Sequence, residues 1–249
     1  MFNLLGFKVH VQPGFVMFML LIIVIYGSEF GLWLAGAIAV FTLIHELGHA
    51  VSARRHGAHA EISLGFLAGY ASYVPTRPIS RSGHATISFA GPAIHIATSV
   101  AVLLVLGANP LNQSSFNDSA PTFAIWWAGP AIGMLNLIPI LPLDGGNIML
   151  QGLDRLLPGR AQRFMLLFSI TLTGSAAALM FFSDQFRGFA IFIGFLMVTQ
   201  LQMLGSSKEP ISPWTAAHHA LEAGKPTKAR RLLIAALSHS RPDAAPALL

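Results

Sequence analysis

The chain has no cysteine. Disulfide frameworks, four-cysteine zinc sites, iron–sulfur clusters and thiol catalysis are excluded with it. Charge is scarce as well. Asp, Glu, Lys and Arg make up 10% of the 249 residues, against about 25% in a soluble globular protein. What fills the chain instead is apolar: 54% hydrophobic residues and a mean hydropathy of +0.63. That much apolar surface excludes disorder and points to a membrane. The net charge of +5 is not a nucleic-acid footprint. The basic residues stand in short clusters between apolar runs, which is the pattern of membrane orientation, and no nucleic-acid partner is expected.

A membrane-crossing helix takes roughly 20 mostly apolar residues. Six segments fit, at about 13–28, 31–53, 84–107, 122–143, 163–183 and 186–205. The first is short. It is read as a retained span, because the N-terminus lacks the charged region and small-residue cleavage site of a signal peptide. Ser28, Glu29 and Phe30 leave so tight a gap that the first two spans form a hairpin. With the N-terminus in the cytoplasm, the inner segments hold Lys8; Arg54, Arg55, Arg77 and Arg81; Arg155, Arg160 and Arg163; and Lys208, Lys225, Lys228, Arg230, Arg231 and Arg241. Those are all of the 15 basic residues except Arg187. The positive-inside rule then sets both termini in the cytoplasm and Ala108–Pro121 outside. A prokaryotic cell (inner) membrane fits this bias.

Residues 57–83 do not read as a span. Glu61-Ile62-Ser63-Leu64 and Tyr70-Ala71-Ser72-Tyr73-Val74 alternate in part, with Gly65 and Gly69 between them, which predicts a β-hairpin. After Gly205 the composition turns polar. Ser212-Pro213 reads as a helix start, Gly224 as a stop and Pro226 as the start of a second helix through Leu237. The expected fold is therefore an all-α membrane protein. It has six transmembrane helices, a small β-hairpin between spans two and three and a C-terminal cytoplasmic helical hairpin. The domains are a core at 1–205 and a tail at 206–249.

Ionisable residues inside a span are costly and mark function by default. The second span carries His45-Glu46-Leu47-Gly48-His49. Four residues apart on a helix, the two imidazoles stand about 40° apart on one face, one turn from each other. That spacing lets both bind one Zn²⁺, with Glu46 beside it as general base. Catalytic zinc commonly takes three protein ligands and leaves one position open. The fourth span ends at Pro139-Ile140-Leu141-Pro142-Leu143-Asp144-Gly145, and Asp144 has no adjacent Lys or Arg. Spans two and four run in the same direction in this topology, so Asp144 reaches the depth of the histidines and is the candidate third ligand. The other reading of Asp144, a polar cap at a helix C-terminus, would be preferred only without the histidine pair. Pro139 and Pro142 break the helical ladder, and such backbone is tolerated at depth only where it lines a protein cavity.

His45-Glu46-x-x-His49, taken with Asn136-x-x-Pro139-x-x-Pro142-Leu143-Asp144-Gly145, resembles the site-2 protease family of intramembrane zinc metalloproteases. The resemblance covers roughly residues 1–205 and rests on two motifs in a fixed order. It implies one zinc per chain, held by His45, His49 and Asp144, and water activation by Glu46. It implies that Asn136 helps hold the substrate strand or the reacting carbonyl. Gly91-Pro92 resembles the family's Gly-Pro element, which packs near the site. His95 stands where many members carry Asn, and two roles are open to it: a buried hydrogen-bonded histidine, or a support or substrate contact at the site. Segment 60–74 looks like the family's strand region near the active site. The implied substrate is a single-pass membrane protein or a membrane-retained remnant, cut in regulated intramembrane proteolysis. Membrane lipids and a regulatory protein bound to the tail complete the expected partners.

Two rival readings use other parts of the sequence. A zinc- or ion-handling transporter would use a midplane site between internal repeats, but no repeat is visible and Glu46 has a placement that transport does not need. An inactive membrane scaffold would not need Glu46 at all. The remaining histidines, His10, His56, His59, His84, His218 and His219, read as solvated or interfacial, because none stands at ligand spacing with another deep group. Trp126 and Trp127 read as interfacial anchors.

Overall fold

The computed structural model describes residues 1–65, 69–181, 190–206, 217, 220 and 226–239. It is mostly helical, with one small sheet. Pro13 opens α1 (Pro13–Tyr26), where a missing N–H is harmless. Gly27 ends it at φ +87°, a left-handed conformation that favours glycine. The turn between the first two helices is therefore Gly27 alone, one step ahead of the expected gap. Helix α2 (Ser28–Arg55) follows immediately; its 28 residues span about 42 Å. It closes with Arg54 and Arg55 in its last turn, which suits the negative end of a helix dipole. Gly57, at φ +82°, turns the chain away.

The predicted hairpin forms as β3 (Ala58–Leu64) and β4 (Gly69–Pro75), paired antiparallel with Ile62 opposite Ala71. It belongs to a larger sheet than expected. At the N-terminus, β1 (Phe2–Leu4) and β2 (Phe7–Val11) form a second hairpin over Leu5-Gly6, and β2 pairs parallel to β3. The order is β1-β2-β3-β4. The local signal was present: Phe7 and Val9 point inward while Lys8 points out. Phe7, Val9, Ile62 and Leu64 pack with Phe15 and Ala50 into one core cluster. The sheet is thus seated on the C-terminal half of α2, the half that carries the two histidines.

Helix α3 (Arg81–Val105) starts at Ser80, whose hydroxyl accepts from the Gly83 N–H at 3.1 Å. Gly48 allows α3 to approach α2 closely: a Cβ there would lie 2.6 Å from the Ala90 carbonyl. After α4 (Gln113–Asn117), the expected span at 122–143 is not one helix. It consists of α5 (Ala120–Trp126), a π-turn (Trp127–Ala131) and α6 (Ile132–Leu135). The break at the π-turn coincides with Pro130, which cannot donate to the ladder. Residues 136–143 are non-helical, and Asp144 does not end a helix but opens one, α7 (Asp144–Leu156). Helices α8 (Ala161–Phe181) and α9 (Ala190–Ser206) follow.

Among the described residues, three helical segments are long and apolar enough to cross a membrane: Glu29–Arg55, Arg81–Val105 and Ala161–Met180. Pro13–Tyr26 and Ile193–Gly205 are apolar but shorter. The chain divides into compact units at Met1–Leu201 and Gln202–Leu249. In the second unit α10 (Pro226–His239) forms where Pro226 predicted a helix start. The first tail helix expected after Ser212 falls almost wholly outside the described residues.

Candidate metal centre

Regular helix geometry brings His45 and His49 together on α2. Their rings meet edge to face with centroids 4.7 Å apart and Nε2 atoms 2.9 Å apart. The third arm comes from the start of α7. Asp144 reaches His45 Nε2 at 3.0 Å through Oδ2 and His49 Nε2 at 3.3 Å through Oδ1. The first turn of α7 favours a negative charge there. The Asp144 backbone is fixed by its neighbours. The Gly145 N–H donates to the Asn136 carbonyl at 2.7 Å. A Cβ on Gly145 would collide with the Leu137 carbonyl, and one on Gly146 with Ile140. The 136–143 stretch therefore folds directly onto the start of α7, and only glycine leaves room for it.

The hydrogen bonds around the histidines define which nitrogens are bare. His49 Nδ1 lies 2.7 Å from the Ile87 carbonyl, which can only accept, so Nδ1 carries the proton. His95 is 2% exposed and stacks on Phe41. Its Nε2 donates to the Ala128 carbonyl at 2.9 Å. In the neutral ring its Nδ1 is then an acceptor, and it faces His45 Nδ1 at 3.3 Å. His45 Nδ1 supplies that proton. Both Nε2 lone pairs therefore face each other and a carboxylate. Three converging acceptors repel unless a cation lies among them. Ligands of a tetrahedral zinc at about 2 Å stand about 3.3 Å from one another, close to the separations found here. Histidine ligands whose other nitrogen donates to a carbonyl or a further group are the usual arrangement in metal sites. The donor set fits zinc.

Glu46 is 4% exposed, and its Oε2 has no hydrogen-bond partner among the described residues. Strand β4 passes against it. A Cβ on Gly69 would lie 2.7 Å from Glu46 Cγ and 2.8 Å from Oε1. Gly69 therefore leaves the room that Glu46 takes up beneath it, while the connection at 66–68 lies outside the described residues. Gly91 has a matching role on the other side, since a Cβ there would fall on the His49 imidazole. Pro92 is buried behind it in α3. Asn136 contributes its backbone carbonyl to the loop, while its side chain makes no hydrogen bond to a described residue. Pro139 is exposed; Pro142 is half-buried, and its carbonyl accepts from Asn147.

Sequence reasoning missed the carbonyls of Ile87 and Ala128 and the stacking of Phe41, none of which carries a residue-type signal. Of the histidines set aside, His56 bonds its own helix at Ser52 and His84 meets the Tyr73 hydroxyl at 3.0 Å. Trp126 donates to the Pro110 carbonyl at 2.9 Å.

No family model matches the chain. Curated relatives do. Zinc metalloprotease MJ0392 of Methanocaldococcus jannaschii is 26% identical over 152 residues, which is 60% of this chain and 43% of that protein. Putative zinc metalloprotease Rip3 of Mycobacterium tuberculosis is 32% identical over 126 residues, 47% of this chain and 31% of its own length. Among solved structures, a site-2 protease from Methanocaldococcus jannaschii superimposes with a TM-score of 0.57 at 22% identity, over 85% of this chain and 94% of that one. The resemblance to the site-2 protease family is borne out. This chain spans less than half the length of the curated relatives it matches. The solved protease supplies the fold, and the relatives' names supply zinc and proteolysis as their own properties.

Proposed function

We propose that this chain is an intramembrane zinc metalloprotease that hydrolyses peptide bonds in or near the transmembrane segments of membrane proteins. The observation that carries the reading is the convergence of two bare Nε2 atoms and the Asp144 carboxylate beside the buried, unpartnered Oε2 of Glu46. His45, His49 and Asp144 hold one zinc per chain. When bound, zinc supplies Lewis acidity, acidifying a water toward about pKa 7 and polarising a carbonyl oxygen. Glu46 takes the proton from the attacking water and returns it to the leaving amine. His95 holds the proton of His45 Nδ1 in place, so that Nε2 stays a ligand. Asn136, at the mouth of the 136–143 loop, holds the substrate strand or its reacting carbonyl.

A helical substrate has its carbonyls engaged and must unwind before attack. Strand β4 is the last strand of the sheet and runs against Glu46, so its free edge can accept an unwound segment by β-addition. A single-pass membrane protein, or its membrane-bound remnant, is the substrate class that fits, in regulated intramembrane proteolysis. The proposed topology has six crossings and both termini in the cytoplasm of a prokaryotic membrane, as the distribution of Lys and Arg supports. The 206–249 tail, which carries α10, is then cytoplasmic and open to a regulatory partner.

The test compares wild type with Glu46→Gln, each reconstituted in vesicles with a single-pass substrate. Zinc content should be equal, and cleavage by the variant should fall about 10²–10⁴-fold. Equal cleavage would refute the assignment of Glu46; equal zinc with no cleavage by either would favour metal handling or scaffolding.

A further inference from the structure

The non-helical stretch 136–143 lies between helices in an apolar environment, where every backbone polar group needs a partner within the protein. Leu141, three residues before Asp144, is 1% exposed. Both of its backbone groups are bound by side chains from elsewhere. Its N–H donates to Ser169 Oγ on α8 at 2.9 Å. That hydroxyl in turn donates to the Met165 carbonyl at 2.6 Å. Its C=O accepts from Gln200 Nε2 on α9 at 2.8 Å. The same amide donates to Thr173 Oγ1 at 2.9 Å. Ser169 and Thr173 stand one turn apart on the inner face of α8 and are 0% and 2% exposed; Gln200 is 0% exposed. Three buried polar side chains on predominantly apolar helices are costly unless they serve a partner. The partner they share, directly or through Gln200, is one backbone residue of the loop that delivers a metal ligand.

We infer that Gln200 and Ser169, with Thr173 orienting the amide, are positioning residues that clamp Leu141 and so fix Asp144 for metal binding. This inference rests on the metalloprotease reading of the site. The orientation of the amide is dictated by chemistry. The Leu141 carbonyl can only accept, so the nitrogen must face it, which leaves Oε1 buried with no partner among the described residues. A glutamine that merely filled space would not keep a buried oxygen unpaired. Here the unpaired oxygen is the consequence of holding the carbonyl. Helices α8 and α9 contribute no ligand, yet through the clamp they set the position of one.

The full chain, purified in detergent and loaded with Co²⁺ in place of zinc, gives the test, because the cobalt d–d spectrum reports the ligand geometry of the folded fraction alone. The variants are Gln200→Met, which keeps volume and removes the donor, and Ser169→Ala, which removes the acceptor for the Leu141 N–H. Each should alter the d–d band and weaken zinc in chelator competition about 10–100-fold, the usual effect of losing a support behind a ligand. Ser99→Ala is the comparison. Ser99 is equally buried but bonds only within its own helix, to Ile96, and its removal should leave the spectrum and affinity unchanged. If Gln200→Met does not fold, Ser169→Ala decides alone, since it deletes one oxygen. Wild-type spectrum and affinity in a folded Ser169→Ala or Gln200→Met would overturn the clamp while leaving the metal site intact. A wild type that takes up neither Co²⁺ nor zinc would overturn the metal reading, and the clamp with it.

Discussion

The two halves of the candidate metal centre are built in opposite ways. His45, Glu46 and His49 lie on an unbroken stretch of α2, where backbone hydrogen bonds fix every side-chain direction. Asp144 follows eight residues with no regular ladder, a stretch tied by hydrogen bonds at Asn136 and Leu141 and closed by two glycines without room for a Cβ. The first half is specified by local periodicity. The second exists only when the rest of the fold surrounds it. Damage to the α2 half should therefore be chemical, removing a ligand or a base from an intact protein. Damage to the loop half should be geometric, leaving every ligand present but misplaced.

The largest effect on either half should come from the ligands themselves. His49→Ala removes one Nε2 and leaves α2 intact, since alanine favours helix. Asp144→Ala removes the carboxylate but also the first-turn charge of α7, worth about 0.3–1 kcal/mol. Both should reduce bound zinc, measured by metal analysis, from near one per chain to a trace. Stripped of metal, both variants should also lose thermal stability, His49→Ala through the lost bond to the Ile87 carbonyl and Asp144→Ala through the lost first-turn charge. Unchanged zinc in either variant would remove that residue from the ligand set.

What the sequence made legible follows the same division. The His-x-x-x-His spacing can be converted into a shared face with nothing but 3.6 residues per turn, so the α2 half could be drawn without a structure. Pro139 and Pro142 announced that the helix must stop, but not that Asp144 would begin a new one. That outcome depends on Gly145 and Gly146 packing under Leu137 and Ile140, a contact no local pattern encodes. The alternation at 60–74 gave the hairpin, and Pro226 gave α10. The N-terminal strands escaped because five residues of alternation, Phe7–Val11, were too few to outweigh the apolar run that follows. Gln200, Ser169 and Thr173 were invisible for a different reason. In a span only a charged side chain stands out by residue type, and these three are neutral.

A smaller effect should come from adding one methyl group beside each half. Gly91→Ala places a Cβ on the His49 ring, and Gly145→Ala places one on the Leu137 backbone. An imidazole can tilt, whereas a carbonyl in a packed loop can move only with its chain. Zinc affinity should fall in both, by roughly tenfold for Gly91→Ala and by more for Gly145→Ala. A loss of folding should accompany only Gly145→Ala, because overpacking against backbone costs about 1–3 kcal/mol. Equal affinities for the two, with equal stability, would show that the loop is as compliant as a side chain and would erase the distinction.

The smallest effect tests the strand proposed to receive the substrate. The Tyr73 hydroxyl on β4 is 3.0 Å from His84 Nδ1, near the start of α3, and it ties the edge strand to the helix that backs His49. Burial pushes the Tyr73 phenol above its ordinary value of 10.0, so the hydroxyl keeps its proton and can donate throughout the neutral range. A phenol raised in the folded state contributes its full stability below the unfolded value, and that contribution is lost as pH rises through the folded one. The tie should therefore be insensitive to pH between about 6 and 9 on the tyrosine side and weaken only above about 10. Tyr73→Phe removes the bond and keeps the ring. It should cost about 1 kcal/mol of stability, leave zinc content unchanged, and raise KM for a membrane substrate severalfold with kcat nearly constant, because the metal ligands and Glu46 lie on other elements. A fall in kcat at constant KM would mean that β4 holds Glu46 in place and does not hold the substrate. No change in either would show that the edge strand is fixed by its pairing with β3 alone.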